Sequence, residues 1–300
     1  MRRATFERTP KSLLIGIGVT LLGGALWGVN ATVSKILMSD YGADPLWIAS
    51  IRQLCAGVLF LAAAGATKPK LLTGAVRDVR SYPVYLLGAL ICVMATQVTY
   101  LNAIKWTNSG TATVLQTLNL LFVLAWVCLR GRRLPGKRET LGVALAFMGT
   151  VLIATGGDLT TLTLPLAGLM WGLCDALATA TMSILPVKVM GRYGNFTVNG
   201  LMFLISGVIL CAVVRPWSHA PQLDALGVGL MVFTVIGGTF GAYWLYMSGV
   251  MRIGAMRATM LGTSEPVLAT ISAVALTGAV FTPVDLVGFA MILAMVFLVR

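Results

Sequence analysis

Two carboxylates, Asp175 and Glu265, fall inside long apolar runs of this chain. Placing such a group at the centre of a bilayer costs ~2.5–3.5 kcal/mol on insertion scales, so its default reading is a site residue. Either acid could carry a proton. The competing reading is a neutral carboxylic acid satisfied by its neighbours, which for Glu265 are Thr263, Ser264 or a carbonyl freed by Pro266. Asp175 lies close enough to the outer half of its run for water to reach it.

Rings accompany these acids. Trp27, Asn30 and Ser34 recur at helical spacing on one face, and Trp171, Asp175 and Thr179 do the same further on. An aromatic group beside a hydrogen-bonding group on each of two helices suits a ligand with a ring and polar ends. Plain helix packing is the alternative, with tryptophan filling space and asparagine bonding across helices. Gln97, Tyr100, Tyr243 and Tyr246 supply further polar and aromatic groups. Lys35 and Arg52 lie near the outer ends of their runs, where snorkelling to the interface explains them more simply than ligand binding.

Other chemistries find no footing. His219, the single histidine, stands between Pro216 and Pro221. Cys55, Cys92, Cys128, Cys174 and Cys211 are far apart in apolar stretches and read as small buried hydrophobes. Neither a phosphate loop, a metal-ligand cluster nor a nucleophile elbow is present. The sequence therefore predicts no metal, no cofactor and no enzymatic activity.

The elements that must position these groups are membrane-spanning. Of 300 residues, 58% are hydrophobic and 11% charged, against roughly 25% charged in soluble proteins. Mean hydropathy is +0.89. Apolar runs of spanning length occupy Leu13–Met38, Leu46–Ala64, Val84–Ile104, Gly110–Leu129, Leu141–Gly157, Leu164–Val187, Phe196–Val214, Ala225–Val250, Ala255–Thr277 and Val284–Val299. The expected fold is an all-α membrane protein of ten transmembrane helices.

The net charge of +12 follows the membrane rather than nucleic acid. With the N-terminus inside, the outer segments hold only Lys105 and Arg215. Alternate inner segments hold Arg2, Arg3, Arg8 and Lys11, then Lys68 to Arg80, Arg130 to Arg138, Lys188, Arg192, Arg252, Arg257 and Arg300. This positive-inside bias predicts both termini in the cytoplasm.

The chain also repeats. Tyr246–Leu268 lies without a gap on Tyr100–Phe122: Tyr246 falls on Tyr100, Ala258 on Ala112, Leu261 on Leu115 and Thr263 on Thr117. Trp171-Gly172 answers Trp27-Gly28. The division is residues 1–157 and residues 158–300. Five helices is an odd number, so the second copy enters the membrane upside down. Inverted repeats are a common transporter construction, with the site near the midplane where the halves meet. Glu265-Pro266 has Asn119-Leu120 as its counterpart, so the proline distortion is expected in the ninth run alone.

The Trp-Gly pairs, the Tyr100–Phe122 run and above all the TSEPVLA stretch at 263–269 resemble the EamA branch of the drug/metabolite transporter superfamily over nearly the whole chain. Within that branch, Asn30, Ala31, Lys35 and Gln116-Thr117-Leu118-Asn119 are most similar to the YddG aromatic amino acid exporters. The resemblance implies ten helices around a central cavity, with the fifth and tenth peripheral. Carried over, it implies substrate binding by Trp27, Asn30, Gln97, Tyr100, Trp171, Asp175 and Tyr246, with Glu265 as a proton-coupling group. It implies a monomeric multi-pass exporter of aromatic and other hydrophobic amino acids in a bacterial inner membrane. Export of other small metabolites or cationic drugs is the alternative; an intramembrane enzyme or receptor is the third reading.

Overall fold

The computed structural model describes residues 10–299. Arg2, Arg3, Arg8 and Arg300, part of the inner-side charge, lie outside the described residues. Every regular element among the described residues is helical. The first three are α1 (Pro10–Ser39), α2 (Pro45–Thr67) and the short α3 (Pro69–Arg77). Next come α4 (Val79–Trp106), α5 (Ser109–Gly131) and α6 (Lys137–Thr155). Then follow α7 (Leu166–Met182), α8 (Val187–Tyr193), α9 (Asn195–Val214) and α10 (Ala225–Ile253). The last three are α11 (Ala255–Gly262), α12 (Ser264–Thr277) and α13 (Pro283–Leu298).

Among the described residues, eight helices are long and apolar enough to cross a membrane, or nine if α7 and α8, bent by 46°, form one span. The expected tenth run is α13. Its 16 residues extend about 24 Å at 1.5 Å per residue, short of a hydrocarbon core of about 30 Å. The perimeter is apolar, with Phe147 69% and Val213 75% exposed. Such a surface suits lipid, where helices satisfy their own backbone.

Helix ends follow local chemistry. Asp44, Asn108 and Asp224 cap α2, α5 and α10 by accepting from Leu46, Thr111 and Gly227 backbone N–H groups. Thr282 and Asp285 form a capping box on α13 behind Pro283. Lys35 shows a different device. Its ammonium donates to the carbonyls of Ile104, Lys105 and Thr107 at 3.0, 2.9 and 2.9 Å, closing the C-terminus of α4. A cation there complements the helix dipole, so Lys35 is a cap in the protein rather than a snorkelling side chain.

The core is a set of helix pairs. α1 packs on α10 and α12, α4 on α7, α5 on α7, α2 on α9, and α6 on α13. The α2–α9 crossing is a close one. A Cβ added at Gly207 would lie 2.5 Å from Leu54 Cα, and one at Gly57 2.7 Å from Leu204 Cα. Only residues without a side chain admit that approach, the usual device for packing helices in lipid. Gln53 and Ser206, both fully buried, hydrogen-bond across the same crossing.

Two helices expected to be continuous are broken. α5 pauses between Gln116 and Asn119, and α11 gives way to α12 at Thr263. Both breaks are built alike: the Thr117 hydroxyl donates to Val114 O and the Thr263 hydroxyl to Met260 O, each at 2.7 Å. The turn tightens as the side chain competes for a carbonyl three residues back. A break thus forms without proline, since the first has none, and the expectation of a distortion in the ninth run alone is corrected. π-helical segments also interrupt α4 at Gly88–Met94 and α10 at Ile236–Gly241.

Two loops meet at one end of the bundle. Asp78 Oδ2 accepts from Tyr193 Oη and Ser81 Oγ, both at 2.7 Å, and from Arg192 Nη1 at 3.1 Å. The Tyr193 bond first, then Ser81 and the Arg192 charge, hold this carboxyl below its ordinary value. A depressed carboxyl contributes stability that is fully present above its unfolded value of about 3.9 and lost as pH falls through the lower folded value. Amide exchange in α3 and α8 should therefore rise on acidification below about pH 4. In Asp78→Asn that exchange should already be raised at neutral pH and its acid step absent; an unaltered step in the variant would contradict this.

Candidate functional site

A cavity of about 180 Å³ opens where the two breaks face each other. Trp27 of α1, Tyr246 of α10, Gln116, Thr117 and Asn119 of α5, and Thr263 and Glu265 of the α11–α12 break line it. The breaks explain the polarity. A helix end leaves backbone groups unpaired, and the small polar residues around it expose them to the interior. A larger cleft of about 720 Å³ on the perimeter, lined by Val76, Tyr82, Leu86 and Leu201, carries no charged residue and fits lipid contact better than chemistry.

Trp27 and Tyr246 form the aromatic part of the wall, with ring centroids 5.1 Å apart and planes tilted by 46°. Such an offset pair is worth about 0.5–1.5 kcal/mol beyond its area. Glu265 is the only charged side chain on the wall among the described residues. It accepts no hydrogen bond from Thr263 or Ser264: the Thr263 hydroxyl is spent on Met260 O, and Ser264 Oγ is buried without a partner. The Thr263 and Ser264 parts of the local-satisfaction alternative for Glu265 are thereby set aside among the described residues. Across the cavity, Asn119 takes the position 146 residues before Glu265 and donates from Nδ2 to Gln116 O at 2.9 Å.

The other expected site residues lie behind this wall. Tyr100 is buried and shares a 2.7 Å hydrogen bond with Thr113, which lines the cavity. Trp171 packs against the cluster of Ala31, Tyr100, Ala103 and Ala269, so the two tryptophans do not share the cavity. Asn30 is 2% exposed and its Oδ1 has no partner among the described residues. Gln97 Oε1 is likewise buried and unpartnered. Asp175 is fully buried, which corrects the expectation of water access. The Thr99 and Thr179 hydroxyls lie 3.3 and 3.5 Å from its Oδ1, and Oδ2 has no partner. Gln116 joins the two regions: it lines the cavity, and its Nε2 lies 3.5 Å from Thr179 Oγ1.

Arg52 also departs from expectation. It is 5% exposed rather than snorkelling, and its Nε donates to Thr239 Oγ1 at 2.7 Å. The signal was present, since Arg52 stands seven residues inside an apolar helix. Sequence reasoning spent it on the interface because helix rotation is not visible there. Cys55 and Cys174 are exposed on the perimeter, while Cys92, Cys128 and Cys211 are buried as expected; all five are free. Groups of three or more histidine, cysteine or carboxylate side chains able to hold a metal ion do not occur among the described residues.

An interior site bearing a ring pair, one carboxylate and several amide and hydroxyl groups can bind a small amphiphilic molecule. It offers no nucleophile–base pair for covalent chemistry.

Known proteins agree with that character. The model of the EamA-like transporter family matches twice, over residues 14–155 and 166–300. The chain is 28% identical over 280 residues to the uncharacterized inner membrane transporter YicL of Salmonella typhimurium, covering 93% of each chain. It is 22% identical over 276 residues to the uncharacterized transporter YwfM of Bacillus subtilis, covering 91% of this chain and 89% of that one. A solved crystal structure superimposes with a TM-score of 0.62 at 18% identity over 96% of both chains, a likeness of fold. With both halves of its length accounted for by one family model, this chain belongs to the EamA-like transporter family, a family of membrane transporters.

Proposed function

We propose that this transporter exports aromatic and other hydrophobic amino acids across a bacterial inner membrane by alternating access. The observation that carries the reading is the cavity in which the Trp27–Tyr246 ring pair stands beside a single carboxylate, Glu265. A ring stacks on the pair while the ammonium group of an amino acid faces Glu265. The cavity's 180 Å³ is below the ~300–1,000 Å³ of pockets that enclose drug-sized ligands. Substrate entry therefore needs the walls to part, and the breaks at Thr117 and Thr263 are where they can.

The moving parts are two inverted repeats of five helices, residues 1–157 and 158–300, with both termini in the cytoplasm. Packing supports this. Exchanging the halves carries α1–α10 onto α7–α4 and α1–α12 onto α7–α5, while α2–α9 and α6–α13 map onto themselves. A two-fold axis relating the halves produces that pattern, and an odd number of helices per repeat lays such an axis in the membrane plane. The basic residues of the alternate segments support the orientation.

Efflux of phenylalanine, tyrosine and tryptophan from loaded vesicles tests the substrate class, and absence of saturable flux would remove it. Trp27→Ala should lower efflux of phenylalanine about tenfold, the worth of one good aromatic contact of about 1.4 kcal/mol, with expression unchanged. Asn30→Ala should lower it less, because Asn30 stands behind the wall. Export of cationic metabolites is the second reading, favoured by Glu265 being the wall's one charge. A competition panel of aromatic amino acids against organic cations separates the two.

A further inference from the structure

Arg52 takes no part in the site as described so far. Among the described residues it is the only buried lysine or arginine, and it forms no ion pair with any of them. One side of its guanidinium is held by Thr239, but Nη1 is buried and has no partner. Arginine stays charged at any physiological pH. A buried charge without its counter-ion is strongly unfavourable and calls for an anion.

The surroundings connect this charge to the cavity. Thr239 belongs to the π-helical segment of α10, and its hydroxyl donates to Thr234 O at 2.8 Å, satisfying a carbonyl freed by the irregular turn. Such segments recur at functional sites. Beside it, Gly238 receives the Asn30 side chain: a Cβ there would sit 2.5 Å from Asn30 Cβ. Asn30 is one helical turn from Trp27 on α1, and Trp27 is cavity wall. A chain of packed neighbours thus runs from Trp27 through Asn30 and Gly238 to Thr239 and Arg52.

We propose that Arg52 is the carboxylate anchor of the transported molecule, with Glu265 receiving its ammonium group and the Trp27–Tyr246 pair its side chain. This rests on the amino acid reading above and deepens it: the substrate class is zwitterions bearing an apolar side chain. The guanidinium fork matches a carboxylate, which a point charge such as lysine does less well. Discrimination follows from the penalty of leaving a buried charge unpaired, so an amine lacking the carboxylate is a poor substrate.

The test compares L-phenylalanine with 2-phenylethylamine, its counterpart without the carboxylate, in vesicles holding wild-type protein or Arg52→Gln. A second readout is the melting temperature of purified protein with 3-phenylpropionate, the counterpart without the amine. Arg52→Gln should lower phenylalanine efflux about 30-fold or more, the scale of a charged hydrogen bond lost from a buried site, and leave or raise amine efflux. It should also abolish the stabilisation that 3-phenylpropionate gives the wild type. Arg52→Lys should recover part of the phenylalanine efflux. An equal loss for both molecules, or no change for either, overturns the assignment. If the wild type exports neither molecule, the aromatic amino acid reading falls, and 3-phenylpropionate alone decides the assignment. Stabilisation that depends on Arg52 upholds it; no stabilisation of the wild type overturns it. Should Arg52→Gln fail to fold, Arg52→Lys carries the comparison, and an equal effect on amino acid and amine overturns the assignment.

Discussion

Glu265→Gln should cut efflux of an amino acid substrate by about 10²–10⁴-fold, the equivalent of the 3–5 kcal/mol lost when one partner of a buried charge pair is removed. The side chain is nearly isosteric, so the cavity keeps its shape while the wall loses its only charge. Asn119→Ala, at the matching point of the other broken helix, removes only a bond to Gln116 O and should cost less than about tenfold, as one neutral hydrogen bond is worth about 1 kcal/mol. The two variants together separate a charge effect from general damage to the break. Where flux is coupled to protons, a pH gradient imposed across the vesicle should drive the wild type and not Glu265→Gln. Equal efflux by the wild type and Glu265→Gln would take Glu265 out of the mechanism.

Gly207→Leu should destabilise the folded protein by about 3 kcal/mol or more, at or above the upper end of ordinary overpacking penalties. The neighbour is backbone, Leu54 Cα at 2.5 Å from the added Cβ, and backbone cannot rotate aside as a side chain can. The helices α2 and α9 would have to separate, which also strips the buried Gln53–Ser206 hydrogen bond. In lipid the hydrophobic effect does not push them back together. Gly229→Leu is the control, because nothing lies within 4 Å of a Cβ there. Thermal unfolding in detergent should show a large fall for the first and little change for the second. Matching melting temperatures would mean the close crossing carries no stability.

Much of this architecture could be read before any coordinates. All ten apolar runs lie on helices, eight or nine of them of spanning length among the described residues, and most ends fall within a few residues of expectation, because hydropathy and capping residues are local signals. Trp27, Tyr246 and Glu265 do meet at one cavity. The breaks were illegible because a threonine marks each of them, yet the identical residue type stays helical elsewhere. Thr150 and Thr155, for instance, bond four residues back and leave α6 intact. The water access expected of Asp175 and the interfacial place expected of Arg52 failed for one shared reason: sequence gives depth along a helix but not the direction in which a side chain faces. Lys35 and Arg52 looked alike in the sequence, yet one closes a helix end and the other points inward.

The pairing of Glu265 with Asn119 has a stereochemical consequence. A hollow built from two matching halves would offer any guest two equivalent orientations. A carboxylate on one side and an amide on the other removes that degeneracy. Under the proposed function, an amine drawn to Glu265, an acid to Arg52 and a ring to Trp27 would define three separate directions at the guest's central carbon. Three such directions distinguish an object from its mirror image, so on that reading L and D forms are unequal guests.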